Sequence, residues 1–266
     1  MIDNSIAFLD SGIGGLPYLD WVRMNCPRLK FSYIADSAHF PYGELSAELL
    51  CYTVLDTVER IFTVGTPRLL VIACNTASVT ALDAVRAVSP CPVVGTVPAV
   101  KQATIHTGNR PIAVLATQGT IDSPYLDRLI SAVASEKHVI LVRANNIVRF
   151  IEEQWVEEGV PGAVELLEPA LNEIRSAGVG TVVLGCTHFL HVLDLIAQGL
   201  GEGVVIVDSR VGVGRRILSL LEGSVDSEVD SLTQENCLYV TSQEKDYRRY
   251  ARFAQMHELH WAGTLS

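Results

Sequence analysis

Leu69–Leu70–Val71–Ile72–Ala73–Cys74–Asn75–Thr76 has a second copy further along the chain, Thr181–Val182–Val183–Leu184–Gly185–Cys186–Thr187–His188. Each is an apolar run that ends in a cysteine followed by small polar residues. Such runs suit strands of a parallel sheet buried on both faces. The two cysteines are 112 residues apart, and the same offset relates Val93–Val94–Gly95–Thr96 to Val205–Ile206–Val207–Asp208. An offset of 106 relates Ile6–Ala7–Phe8–Leu9 to Ile112–Ala113–Val114–Leu115. Three matches in one order indicate an internal duplication. Two like halves can each present one thiol to a shared cleft, which suits a reaction where a proton leaves one face of a carbon and returns on the other.

Working outward, β-rich runs recur at 5–9, 31–35, 69–73, 93–97, 111–116, 138–142, 181–185 and 204–208. Helical periodicity lies between them. Val79, Leu82 and Val85 share a face after Cys74, and Leu190, Leu193 and Ile196 do so after Cys186. Residues 44–62, 146–158, 163–177 and 210–221 also read as helices. This alternation predicts an α/β fold of two pseudo-symmetric parallel-sheet domains facing a shared cleft. The duplication predicts a first domain of 1–98 plus 209–266 and a second of 99–208. The polar segment 223–236 reads as a loop, 237–241 as a last strand and 245–256 as a helix.

The totals exclude several classes. In 266 residues, 48% are hydrophobic, enough for a sizeable core, and mean hydropathy is +0.28. The net charge of −10, with no basic run, argues against nucleic acid or an anionic membrane as a partner. No signal peptide is read at the start and no membrane span along the chain, so a cytoplasmic location is expected. The six cysteines form no CxxC pair. No metal constellation, P-loop or nucleophile elbow is present either.

Cys74 is read at the end of a strand and the start of a helix, where α/β folds place ligands. Free N–H groups there favour thiolate over thiol. Asn75 and Thr76 are good capping residues, and plain capping is the alternative. Cys186–Thr187–His188 repeats the pattern and adds an imidazole that can protonate a leaving group or tune the thiol. Asp10–Ser11–Gly12–Ile13–Gly14–Gly15 is a turn able to approach an anion, but its spacing is not the dinucleotide fingerprint. Asp10 reads as a general base, a base-orienting carboxylate or a helix cap. Pro41–Tyr42–Gly43 is a turn after Asp36–Ser37, and Thr117–Gln118–Gly119–Thr120 follows the counterpart of the first strand. Glu152–Glu153 lies on a helix, where most such pairs are solvated, and His257 and His260 read as surface residues.

Together these motifs resemble those of glutamate racemases, cofactor-independent enzymes that supply D-glutamate for peptidoglycan. The match runs from Phe8 to Ser209. The resemblance implies Cys74 and Cys186 as acid and base on opposite faces of the α-carbon. It implies Asp10 assisting on the Cys74 side, His188 on the Cys186 side, and Glu152 as a further carboxylate near the second thiol. Ser11, Pro41, Tyr42, Gly43, Asn75, Thr76, Thr117, Thr120 and Thr187 fall where the family holds its substrate. It also implies glutamate as small-molecule substrate, no cofactor, no metal, and a homodimer. Without pyridoxal phosphate there is no electron sink, so oriented donors and exclusion of water must stabilise the developing charge.

The chain departs from the family pattern beside the second thiol. Phe189–Leu190–His191 lacks the usual proline, Asn145–Asn146 replaces a Cys-Pro pair, and Arg149 stands where proline is frequent. The alternatives are a racemase for aspartate or another small acidic amino acid, a binding protein with a second role such as gyrase inhibition, and a redox-sensing thiol pair.

Overall fold

A computed structural model of the chain describes residues 2–221, 235–242 and 247–265. Among the described residues ten strands are β1 (Ile6–Asp10), β2 (Phe31–Ala35), β3 (Leu69–Ile72), β4 (Val93–Gly95) and β5 (Ile112–Ala116), then β6 (Val139–Arg143), β7 (Thr181–Leu184), β8 (Val205–Val207), β9 (Cys237–Val240) and β10 (His260–Thr264). They form two wholly parallel sheets, ordered β10-β9-β2-β1-β3-β4 and β6-β5-β7-β8.

The two sheets repeat one topology. In each, the first strand of the half pairs with the second on one side and the third on the other: Ile6 faces Phe31 and Leu69, and Ile112 faces Val139 and Thr181. The chain therefore reverses its winding direction at β1 and at β5. In doubly wound sheets that reversal opens a crevice at the strands' carboxyl ends, where ligands bind. β1, β3, β5 and β7 are buried, as the apolar runs require.

Most elements fall where the sequence places them, and the differences have local causes. The helix expected over 44–62 is Ala47–Val64, because Ser46 caps it, its Oγ accepting from Leu49 N at 3.3 Å, while Tyr42–Glu44 form a 3-10 turn before it. The helices expected over 146–158 and 163–177 are Asn145–Glu153 and Trp155–Ser176, the latter kinked at Gly159, whose φ is +60°. β10 goes unread in the sequence because His260–Trp–Ala–Gly–Thr lacks strand periodicity; it pairs at the sheet's outer side with β9. The loop expected over 223–236 lies, except for its last two residues, outside the described residues. No described helix is long and apolar enough to cross a membrane.

After Cys186 the chain departs from the helix its periodicity suggests. Thr187–Val192 is a 3-10 turn, and the α-helix begins only at Leu193. Cys74, by contrast, leads straight into the α-helix Asn75–Val88. In a 3-10 turn residues three apart eclipse one another. His188 and His191 thus share an edge, and both meet the first domain.

Candidate active site

Cys74 follows β3 and Cys186 follows β7, so each thiol stands at the carboxyl end of an equivalent strand. Both line one cavity between the domains, with a free volume of about 20 Å³. Ser11, Pro41, Tyr42, Gly43, Thr76 and Thr117 line it too, with His188 on the second domain's side. The other residues singled out in the sequence stand behind this wall. Thr120 Oγ1 is 3.1 Å from Thr76 Oγ1 and 3.3 Å from Thr117 Oγ1, so three hydroxyls from both domains form one cluster. Asn75 is 1% exposed, yet among the described residues its side-chain oxygen and nitrogen have no hydrogen-bond partner. A buried amide without partners is uncommon and marks a place where another group is to be met.

Asp10 and Glu152 are both wholly buried and lie outside the cavity lining. Asp10 Oδ1 accepts from Ser11 N at 2.6 Å, and its Oδ2 accepts from the Thr187 hydroxyl across the domain boundary at 3.1 Å. Burial raises the Asp10 pKa, the nearby His188 charge lowers it less, and Glu152 pushes it up again. Glu152 accepts three bonds: His188 Nε2 at 3.0 Å, the main-chain N–H of Ile13 at 2.9 Å and the Tyr250 hydroxyl at 2.7 Å. Burial alone would raise its pKa, but the His188 bond and charge outweigh it and hold the carboxyl low.

His188 links that carboxylate to the second thiol, its Nδ1 lying 3.9 Å from Cys186 Sγ. Burial opposes a charged imidazole, yet the contacts with Cys186 and Glu152 prevail, and the pKa of His188 is raised well above its ordinary value. In that form it donates one N–H to Glu152 and aims the other at sulfur. The first thiol is different. The amides of Ala77 and Thr76 do favour its thiolate, as its place at a helix start suggests, but burial first and the Asp10 charge second push the Cys74 pKa well up. The expectation of a net lowering at Cys74 is therefore corrected: the desolvation of a fully buried sulfur exceeds what two amides return.

The glycine turn is a docking surface for the second domain's side chains. A Cβ on Gly12 would fall inside the Glu152 carboxylate, and one on Gly14 would fall on His188 and Thr187. The anion that the turn approaches is the chain's own Glu152. Tyr33 holds the turn from below, its hydroxyl donating to Gly12 O at 2.8 Å and accepting from Gly15 N at 3.0 Å.

Some contributors escape the sequence reading. Tyr250 sits in the helix Tyr247–Met256, with nothing local to signal a role. Asp36 is a buried hub that accepts from the hydroxyls of Tyr42 at 2.6 Å and Thr57 at 3.2 Å and lies 2.9 Å from His39 Nδ1. The Tyr42 hydroxyl is thereby engaged, which leaves its ring and main chain to the cavity. Glu44, Asn145 and Val148 also line the cavity. His257, expected at the surface, lies 2.5 Å from Asp20 Oδ2 and packs against the His191 ring.

Residues 34–211 match the model of the Asp/Glu/Hydantoin racemase family. The chain belongs to this family. A glutamate racemase of Treponema pallidum (strain Nichols) is 37% identical over 262 residues, covering 97% of this chain and 96% of that protein. One from Sphingopyxis alaskensis is 40% identical over 223 residues, covering 83% of each. The crystal structure of Escherichia coli glutamate racemase, in complex with L-glutamate and the activator UDP-MurNAc-ala, superimposes with a TM-score of 0.89 at 31% identity and covers 98% of both chains. As a member of the Asp/Glu/Hydantoin racemase family, the protein is an amino-acid racemase of two α/β domains.

Proposed function

We propose that the protein interconverts L- and D-glutamate without a cofactor, with Cys74 and Cys186 as the acid/base pair, and so supplies D-glutamate for peptidoglycan in the cytoplasm. The observation that carries this reading is that two thiols, each at the end of the equivalent strand of a duplicated half, line one small cavity. A substrate α-carbon held there has a sulfur on each face.

One sulfur, as thiolate, takes the α-proton, and the other, as thiol, delivers a proton to the opposite face. The roles exchange with direction. An α-proton is weakly acidic, so the carboxylate must be met by fixed donors as charge builds on it. Ser11, Asn75, Thr76, Thr117 and the main chain at Tyr42–Gly43 hold the substrate's charged groups in this reading, which the lining by Ser11, Tyr42, Gly43, Thr76 and Thr117 supports, with Pro41 shaping the wall. Thr120 and Thr187 fix the hydroxyls and the Asp10 carboxylate. Asp10 serves the Cys74 side, where burial raises its pKa and makes it a better proton acceptor than an ordinary carboxylate. His188 serves Cys186, and Glu152 acts through His188 by keeping it charged and oriented.

Glutamate is taken as substrate because the similar curated proteins are glutamate racemases. The domain division at 98/99 and 208/209 and a homodimeric assembly belong to the same proposal. The test is circular dichroism of the protein with L-glutamate in deuterated buffer, followed by NMR of the α-position, with no cofactor added. Loss of optical signal with deuterium uptake supports the reading. Loss with aspartate but not glutamate keeps the mechanism and overturns the substrate, and no change with either overturns the assignment.

A further inference from the structure

Glu44 and Arg149 are 105 residues apart in sequence and meet across the cleft. Glu44 ends the 3-10 turn of the first domain and lines the thiol cavity. Arg149 follows Val148, another lining residue, on the helix Asn145–Glu153. Its Nε and Nη2 donate to Glu44 Oε1 and Oε2 at 3.0 and 2.6 Å, the two-bond geometry that a planar guanidinium makes with a carboxylate. The Arg149 and Glu44 side chains remain 48% and 46% exposed, so the pair lies at the watery rim. Glu152, on the same helix, is sealed within.

Space and charge both give this pair work. A free volume of about 20 Å³ between the thiols is no more than one water needs, so an amino acid reaches them only when the domains part. An exposed ion pair is weak enough to break and re-form at each turnover. Glu44 places a negative charge on the path of an acidic substrate, in a chain of net charge −10. Lys and Arg do not occur among the residues lining the cavity. Arg149 is the cation that offsets Glu44.

We propose that the Glu44–Arg149 pair is the gate of the thiol cavity: it parts to admit a small dicarboxylate, and Arg149, released from Glu44, draws that anion in. The identity of the anion rests on the racemase reading; the gate itself does not. When the pair parts, Glu153, 3.9 Å from Arg149, retains the guanidinium at the rim. As the domains close, Glu44 takes Arg149 back and leaves the substrate to the donors inside.

Two alkylating reagents of equal shape test this, neutral iodoacetamide and anionic iodoacetate, with modification at Cys74 and Cys186 read separately by peptide mass spectrometry. The variants are Arg149→Gln, Glu44→Gln and both together, with kcat and KM for glutamate measured alongside. Iodoacetamide labelling should rise about two- to fivefold in every variant, the range set by an exposed ion pair. Iodoacetate should gain in Glu44→Gln but fall behind iodoacetamide in Arg149→Gln, and high salt should close that gap. Arg149→Gln should raise KM more than it lowers kcat. Unchanged iodoacetamide rates in all three variants, or the same ratio of the two reagents in Arg149→Gln as in the unaltered protein, would overturn the gate. A protein that labels as expected but does not racemise glutamate overturns the racemase reading alone; one that racemises with unaltered labelling overturns the gate alone.

Discussion

The carboxylate of Glu152, on the second domain, accepts the main-chain N–H of Ile13, on the first, at 2.9 Å. His191 meets the same residue from the other side, its Nε2 donating to Ile13 O at 3.1 Å. Both main-chain polar groups of Ile13, in successive peptides of the glycine turn, are thus held by the domain that carries the second thiol. The turn after β1 sets how the two domains meet and, through Glu152, the charge on His188.

Gly12→Ala should therefore cost activity beyond its effect on stability. The new Cβ would displace a carboxylate that Tyr250, His188 and Ile13 all hold, so it cannot move without releasing them. We expect kcat to fall by at least tenfold, on the order of what is lost when a general acid–base group is misplaced. Racemisation rates and thermal midpoints measured side by side check this. An active Gly12→Ala protein would show that the latch has no bearing on the chemistry.

Cys74→Ala and Cys186→Ala should each reduce racemisation by roughly 10²–10⁴-fold, the usual contribution of a proton-transferring side chain. Neither should unfold the chain, since a cysteine is small and both sit at the cavity wall. The readout is optical rotation with either enantiomer, alongside a thermal melt. A variant that keeps most of its rate would remove the two-thiol mechanism.

The His188–Glu152 pair predicts a pH window. The folded pKa of His188 is raised, so its contribution to stability is complete below about 6.5 and is lost as pH climbs through the raised value. That of Glu152 is lowered, so its contribution is complete above about 4.3 and is lost as pH falls through the lowered value. Stability from the pair is therefore greatest between about pH 4.3 and 6.5. Glu152→Gln should cost roughly 3 kcal/mol there, because it strips a buried charge of its partner. Urea midpoints across the pH range measure it, and a midpoint at about pH 6 equal to that of the unaltered protein would contradict the assignment.

His191 has the opposite sign, although it lies on the same turn. Burial, with the charges of His188 and His257 nearby, lowers its pKa to about 3. A histidine held neutral stabilises the fold fully above about 6.5 and loses that contribution as pH falls, because the unfolded chain takes up the proton first. His191→Gln keeps a donor for Ile13 O but cannot titrate. Its stability should be flatter than the unaltered protein's between about pH 6.5 and 5, above the range where Glu152 begins to titrate. Parallel curves over that interval would show that His191 is solvated in solution.

The duplication is legible because buried parallel strands demand uninterrupted apolar runs, and four such runs in each half announce themselves. Both thiols were legible with them, since each follows its run directly. Glu152 was not legible from its residues, because a Glu-Glu pair on a helix looks solvated until the far domain is packed on it; only the family resemblance pointed there. Tyr250 and Asp36 had no signal, for Tyr250 meets Glu152 98 residues away and Asp36 gathers the hydroxyls of Tyr42, Thr57 and Thr241, the last 205 residues away.

The sequence by itself determined the α/β class, the two matching halves and the cysteine at the end of each central strand, because those follow from local burial and period. The tertiary structure decided which side chains share the cleft, that the glycine turn seats Glu152 and His188, and that burial pushes the Cys74 thiol up while Cys186 and Glu152 raise His188. Those outcomes depend on desolvation and on contacts between residues more than a hundred positions apart, and no local pattern encodes either.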